Sequence, residues 1–163
     1  MLYFKALKRF CISAAACAAV WGACFPVFAA GESQEVSPEG ISPQEVEMIE
    51  AVVMHEVGYC SRESMIAVAH VILNRMESPF FPDTVSEVLH QEGQFTAIHN
   101  YYDWERPVTP KVKAAVADAL EMTDVTGGAF YFYSPRYMKQ DYSLRWFQSL
   151  ETTLIYEGVW YCK

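Results

Sequence analysis

Glu56 is the residue whose type and position point most directly to chemistry. It falls within a stripe spaced by three, four, three and one residues, which is the spacing of one helix face. The stripe runs Val46, Ile49, Val53, Glu56, Val57. An inward-facing carboxylate is costly unless it is paired, hydrogen-bonded or protonated, and burial that favours the protonated form raises its pKa toward the range of a general acid. Spacing alone leaves two interpretations open: an inward catalytic acid, or a solvated glutamate near a helix end.

The neighbour of Glu56 raises the question of a metal site. His55 precedes Glu56 as in the helix of a zinc protease, but Tyr59 stands where the second histidine ligand would be. The sequence therefore predicts no metal site, and no motif in it indicates a cofactor.

Amide and aromatic side chains interleave in one later stretch and indicate a carbohydrate site. The stretch contains Gln94 and Phe95, followed by His99, Asn100, Tyr101, Tyr102 and Trp104. Aromatic rings stack on the apolar faces of sugars, and amides bond their hydroxyl and acetamido groups. The alternative is an aromatic loop that packs on the core.

The first 29 residues have the pattern of a secretory signal peptide. Basic residues (Lys5, Lys8, Arg9) precede an apolar run, and small residues flank the expected cleavage after Ala29. A membrane anchor is the alternative, but no basic stop-transfer cluster follows the run. Removal of the three basic residues lowers the net charge from −8 to −11, which argues against nucleic acid as a partner. We expect a secreted monomer with no stable membrane anchor.

The mature chain retains two cysteines, Cys60 and Cys162. In an oxidising compartment two cysteines can form one disulfide bridge, and we expect this bridge to tie the end of the first helix to the last strand. Cys60 as a thiol nucleophile, with His70, His90 or His99 as its base, is the alternative.

The rest of the sequence indicates one domain. Residues 30–42 are rich in Gly, Ser, Glu and Pro and are predicted to form a flexible linker, which leaves residues 43–163 as the domain. Capping signals predict four helices, near 43–57, 62–73, 84–89 and 110–120. A strand near 129–133 and a hairpin around Glu157 and Gly158 follow. The fold class is α+β, a helical lobe followed by a small antiparallel sheet with a binding cleft between them.

Residue types alternate along the predicted strand near 129–133. Tyr131 and Tyr133 share one face, and Phe130 and Phe132 share the other. The alternation predicts a polar cleft wall opposite a core wall.

Five segments, taken in order, resemble the SleB/CwlJ-like cell wall hydrolases, which include the spore cortex-lytic enzymes. The segments are 53–58, 66–75, 81–85, 91–95 and 127–135. Their order and spacing make the resemblance specific, and it covers nearly the whole predicted domain. It implies a lysozyme-related helical lobe and cleavage of the glycan strands of peptidoglycan.

The resemblance also implies roles for residues, position by position. Glu56 corresponds to the catalytic glutamate of the family. The residues implied as substrate-binding are Gln94, Phe95, Tyr131 and Tyr133, and those implied as partly structural near the site are Asn74 and Arg75. The family commonly has an arginine and a second glutamate shortly after the catalytic residue, whereas Gly58 and Cys60 stand there in this chain. Any role of that second carboxylate is therefore absent.

A single carboxylate favours the lytic transglycosylase reaction, in which one glutamate acts first as acid and then as base. A muramidase-type hydrolase would need a second carboxylate, for which the candidates are Asp83, Glu92, Asp103 and Glu105. A peptidoglycan-binding module without turnover and a Cys60-dependent peptidase or amidase are the alternatives from other classes.

Overall fold

The computed structural model describes residues 40–103, 107–138 and 141–163, without the side chains of residues 100–103 and 141. The predicted signal peptide 1–29 lies outside the described residues, as do residues 30–39 of the predicted linker. Of the carbohydrate-site candidates, Trp104 also lies outside them, and of the second-carboxylate candidates so does Glu105.

Four α-helices form the lobe predicted from the capping signals. They are α1 (Pro43–Val57), α2 (Arg62–Glu77), α3 (Val85–Leu89) and α4 (Pro110–Glu121). The Ser42 hydroxyl accepts a hydrogen bond from the backbone amide of Glu45, and the Glu45 carboxylate accepts one from the backbone amide of Ser42. The predicted capping box therefore starts α1. The prediction of the helical lobe is confirmed.

Helix α2 lies at the centre of the lobe because its middle is apolar on nearly every side. Its residues from Ser64 to Leu73 are all buried, and α1 and α4 pack against it. Burial of its apolar side chains against both neighbours is the main source of stability for the lobe.

Three short strands form one antiparallel sheet in the order β1-β3-β2. The strands are β1 (Tyr131–Tyr133), β2 (Thr152–Tyr156) and β3 (Val159–Cys162). Glu157 and Gly158 form the turn between β2 and β3, both with positive φ, at 48° and 77°. Two successive residues with positive φ give the tight turn whose twist suits a hairpin. The predicted hairpin is confirmed.

The hairpin turn is fastened to the start of α2 by Glu157. Its Oε2 accepts hydrogen bonds from the amide of Ser61 at 3.3 Å, the hydroxyl of Ser61 at 3.0 Å and the hydroxyl of Ser64 at 2.6 Å. Hydrogen bonds from the Ser64 side chain, the Ser61 side chain and the Ser61 amide lower the pKa of Glu157. The sheet and the central helix are thus joined by a carboxylate at a helix N-terminus.

Two elements were not anticipated from the sequence. A 3₁₀ helix spans Thr96–Asp103, and helix α5 spans Asp141–Gln148 between β1 and β2. Helix α5 has only eight residues, which are too few for its apolar positions to form a pattern that can be recognised in the sequence.

The expected disulfide bridge is absent, because Cys60 and Cys162 are both free thiols in the structure. Successive residues of a strand point to opposite faces, so Tyr161 and Cys162 diverge. Tyr161 lies on the core face, near enough to Cys60 for the cysteine to help raise the pKa of the tyrosine after burial, the larger cause. Cys162 instead lies 3.9 Å from the hydroxyl of Thr152.

Among the described residues, no helix is both long enough and apolar enough to span a bilayer.

Candidate active-site cleft

A cleft of about 250 Å³ opens beside the C-terminal turn of α1. The loop before the 3₁₀ helix, strand β1 and helix α5 form its other walls. Its lining residues are Glu56, Arg75, Gly93, Gln94, Phe95, Tyr131, Phe132, Trp146 and Phe147. The structure thus brings together four of the residues singled out in the sequence for catalysis or substrate binding: Glu56, Gln94, Phe95 and Tyr131.

The apolar stripe alone would direct Glu56 into the core, but in the structure the side chain faces the cleft. Its side chain is 26% exposed, whereas Val53 and Val57 on the same stripe are buried. Burial raises the pKa of Glu56, and the smaller opposing effect comes from His55, whose Nδ1 lies 3.6 Å from Oε1. A partly buried carboxylate with a raised pKa is suited to hold and release a proton.

Arg75 connects three parts of the cleft through one guanidinium. Its Nε donates to the carbonyl oxygen of Phe130 at 2.6 Å, and its Nη2 donates to Oε1 of Gln94 at 2.8 Å. The residue is only 3% exposed, and its Nη1 is buried without a hydrogen-bond partner among the described residues. Arg75 therefore fixes the loop and the strand relative to helix α2.

Three aromatic rings enclose the same guanidinium. The rings of Phe81, Phe95 and Tyr131 each lie 5.1 Å from Cζ of Arg75. Burial lowers the pKa of Arg75 to about 10, and Tyr131 opposes this shift. The arginine remains charged at neutral pH, stabilised by ring faces in place of water.

The loop that carries Gln94 is anchored on both sides. Gly93 has φ of 72°, a left-handed conformation that favours glycine. Phe95, which was expected to bind substrate, is 4% exposed and belongs to the core cluster. Phe95 thus packs mainly on the core and adds little surface to the cleft lining, while the exposed Gln94 reaches the cleft.

The two tyrosines of β1 separate, contrary to the expected pair. Tyr131 lines the cleft beside Trp146, with ring centroids 5.1 Å apart. Tyr133 is 6% exposed and stacks on Phe147 at 4.5 Å, so it does not line the cleft. The opposite face differs as well, because Phe132 contributes to the cleft while also packing on the core.

Asn74 supports the start of β1 from outside the cleft. Its Nδ2 donates to Oγ1 of Thr126 and to the carbonyl oxygen of Ala129, both at 3.1 Å. The carboxylate of Asp124 holds the same turn by accepting the amides of Thr126 and Gly128. Burial alone would raise the pKa of Asp124, but these hydrogen bonds outweigh it and lower the pKa.

Two cleft residues escaped the sequence reasoning, Trp146 and Phe147 of helix α5. Trp146 is 47% exposed and lies against Tyr131. The cluster of aromatic residues around 142–147 was the available signal, although the fold alone places it at the cleft. An exposed tryptophan on a cleft wall offers a flat apolar surface for a sugar ring.

The family model for Cell Wall Hydrolase matches residues 60–161 of the chain. The chain belongs to the cell wall hydrolase family. The matched range includes every cleft-lining residue except Glu56, which lies just before it.

A curated relative of this cell wall hydrolase is the spore cortex-lytic enzyme of Oceanobacillus iheyensis. It is 38% identical over 98 residues, which are 60% of this chain and 35% of the relative. The chain thus spans about a third of the length of the curated relatives it matches.

Two solved structures share the fold of the chain. The catalytic domain of the Bacillus cereus SleB protein has a TM-score of 0.67 and 28% identity, covering 82% of this chain and all of that domain. The catalytic domain of the germination-specific lytic transglycosylase SleB of Bacillus anthracis has a TM-score of 0.67 and 31% identity. It covers 77% of this chain and 99% of that domain. The expected fold class is therefore confirmed as that of the SleB catalytic domains, with a small three-stranded sheet.

Proposed function

We propose that this chain cleaves the glycan strands of peptidoglycan as a lytic transglycosylase, with Glu56 as its single acid and base. The observation that carries the proposal is the state of Glu56: it is the one carboxylate among the described residues lining the cleft, and burial raises its pKa. The likeness to the Bacillus anthracis domain, which is named a lytic transglycosylase, supports the same reaction.

The reaction needs two proton transfers from one group. Protonated Glu56 donates its proton to the oxygen of the bond between N-acetylmuramic acid and N-acetylglucosamine, and the carbon–oxygen bond breaks. The resulting carboxylate then takes the proton of the muramic 6-hydroxyl as that oxygen attacks the same carbon. The product is a 1,6-anhydro end, no water is consumed, and Glu56 returns to its protonated form.

The cleft walls supply binding rather than proton transfer. Tyr131 and Trp146 offer ring surfaces to a sugar, and Gln94 offers an amide to its polar groups. Phe95 and Arg75 position this wall from below, and Asn74 holds the turn behind it.

The hydrolase alternative requires a second carboxylate. Neither Asp83 nor Glu92 lines the cleft. The side chains of Asp103 and Glu105 lie outside the described residues. For the peptidase alternative, Cys60 is exposed and does not line the cleft.

The decisive experiment identifies the products. The predicted mature protein, residues 30–163, and its Glu56→Gln variant are incubated with purified vegetative peptidoglycan and with spore cortex, and released fragments are analysed by mass spectrometry. We expect 1,6-anhydro-muramic ends from the unaltered protein and none from the variant. New reducing ends would instead identify a hydrolase, and release by Glu56→Gln at the normal rate would remove Glu56 from the mechanism.

We also propose that the domain acts outside the membrane, on the wall or the spore, as a monomer released by cleavage after Ala29. Mass spectrometry of the N-terminus of the exported protein tests the cleavage site, and a different mature N-terminus would contradict it. Size-exclusion chromatography with light scattering tests the monomer.

A further inference from the structure

We propose that Gln94 acts only as a hydrogen-bond donor in the cleft and that its ligand is the carbonyl oxygen of an acetamido group on the sugar. This inference rests on the proposed function and specifies which chemical group of the glycan strand the cleft reads. The partners of Arg75 carry the argument.

The orientation of the Gln94 amide is decided by chemistry. A guanidinium has five N–H donors and no acceptor, so the atom of Gln94 that lies 2.8 Å from Nη2 of Arg75 must be its oxygen. Rotating the amide by half a turn would place two donors against each other. The NH₂ group is therefore the end of the amide that remains for a ligand.

Arg75 has little freedom to release this oxygen. It is nearly fully buried, its Nε is held by the carbonyl oxygen of Phe130, and three ring faces surround its guanidinium. No carboxylate among the described residues pairs with it. The charge that acts on the oxygen of Gln94 also polarises the amide, which makes the NH₂ group a stronger donor.

The exposed end of this arrangement reaches the cleft. Gln94 is exposed and lines the same cavity as Glu56, and among the described residues its amide has no second hydrogen-bond partner. A carbonyl oxygen is the ligand that matches two N–H donors, because it accepts without needing an acceptor in return. In a strand of N-acetylglucosamine and N-acetylmuramic acid, the acetamido groups supply such an oxygen.

The test compares two substrates and three proteins. Peptidoglycan is chemically de-N-acetylated, and one half is re-N-acetylated as a treated control. Initial rates of fragment release are measured on both for the unaltered protein, Gln94→Glu and Gln44→Glu. Gln94→Glu keeps an acceptor for Arg75 but replaces the NH₂ group with a second acceptor oxygen. Gln44→Glu adds the same charge on an exposed residue in the first turn of α1, far from Glu56.

The quantity that decides is the ratio of the rate on acetylated strands to the rate on de-acetylated strands. Gln94→Glu should lower this ratio about tenfold or more relative to the unaltered protein, since its carboxylate repels the carbonyl and attracts the ammonium group. Gln44→Glu should leave the ratio unchanged. An unchanged ratio in Gln94→Glu, with the unaltered protein active, overturns the inference and leaves the proposed function intact. No release by the unaltered protein from either substrate overturns the proposed function and this inference with it.

Arg75→Lys tests the positioning role of Arg75 separately. Its single ammonium group cannot hold both the Phe130 carbonyl and Gln94 in the fork geometry of a guanidinium, so the amide is free to turn. The substrate ratio should fall in the folded variant. A variant that loses thermal stability but keeps the ratio would show that Arg75 is only structural and would overturn the orientation argument.

Discussion

Glu56 and Glu157 are two carboxylates near the ends of neighbouring helices, and their environments shift their pKa values in opposite directions. Glu56 lies in the last turn of α1 and has a raised pKa because it is partly buried. Glu157 approaches the first turn of α2, accepts three hydrogen bonds, and has a lowered pKa. Only the four residues from Gly58 to Ser61 separate the two helix ends along the chain.

The difference agrees with a structural role for Glu157 and with the catalytic role that we propose for Glu56. The N-terminal end of a helix carries unpaired N–H groups and a positive dipole, and both stabilise an anion. The C-terminal end offers carbonyl oxygens and a negative dipole, which disfavour one. A carboxylate at that end, with few donors, is easier to keep protonated, as a general acid requires.

The largest expected effect is a loss of activity on substitution of Glu56 but not of Glu157. Glu56→Gln should lower the rate of fragment release by about 10²–10⁴-fold, the usual contribution of a general acid and base. Glu157→Gln, as the matched change, should keep most of the rate, because Glu157 does not line the cleft. Initial rates on the same peptidoglycan check both, and comparable losses in the two variants would contradict the division of roles.

The next largest effect is expected on stability, from a substitution at Gly58 in the connection between α1 and α2. A Cβ on Gly58 would overlap the carbonyl oxygen of Met54 and lie 2.7 Å from its Sδ. Gly58→Ala should therefore displace the end of α1 and destabilise the fold by about 1–3 kcal/mol, as overpacking does. Urea unfolding measures the loss, and a midpoint equal to that of the unaltered protein would contradict the tight contact.

A smaller effect concerns stability at neutral pH. Glu157→Gln should lower the melting temperature, because it removes a charged acceptor from two serines at a helix N-terminus. Glu56→Gln should leave the melting temperature unchanged or raise it, because it removes a carboxylate that is costly to ionise where it lies. Calorimetry at pH 7 measures both melting temperatures, and equal decreases in the two variants would contradict the prediction.

The contributions of Glu157 and Glu56 to stability should also change in opposite directions with pH. The stabilisation from Glu157 is present above its unfolded pKa of 4.5 and is lost as the pH falls through its lower folded value. The ionised form of Glu56 is destabilising above its raised folded pKa, and this penalty disappears as the pH falls toward 4.5. The difference in stability between Glu56→Gln and the unaltered protein should therefore shrink on acidification. Melting curves from pH 7 to pH 4 measure it, and a constant difference would contradict the raised pKa.

Cys60 and Cys162 should remain unbridged in the protein. The structure has Cys60 and Cys162 as free thiols, so residues 30–163 should react with two equivalents of an alkylating reagent when denatured without reductant. A mass decrease of two hydrogens with no alkylation would show a bridge and restore the expectation from the sequence.

The sequence predicts the parts of the fold that depend on local signals. The capping box at Ser42, the proline after Thr109 and the turn at Glu157 and Gly158 each locate an element from adjacent residues. The apolar run of α2 likewise predicts its central position.

The attachment of the sheet to the helices and the cleft both depend on contacts that no local pattern contains. Glu157 meets Ser61 across 96 residues, and this capping contact is invisible along the chain. Helix α5 has only eight residues, too few for a clear helical pattern, and only the fold places Trp146 beside Tyr131. The resemblance to the family pointed to Gln94 and Tyr131 at the cleft, but it could not show that Tyr133 turns away from it.

The fork of Arg75 has a consequence for the order in which the protein folds. It joins a helix residue to a loop 19 residues further on and to the residue just before β1, 55 residues further on. Helices form from local contacts within microseconds, whereas contacts distant along the chain wait for long loops to close. During refolding, the circular dichroism of the helices should therefore return before the ability to cut glycan strands. A partly folded chain would contain helices but lack the assembled cleft, so the proposed cleavage would begin only after these distant contacts had formed.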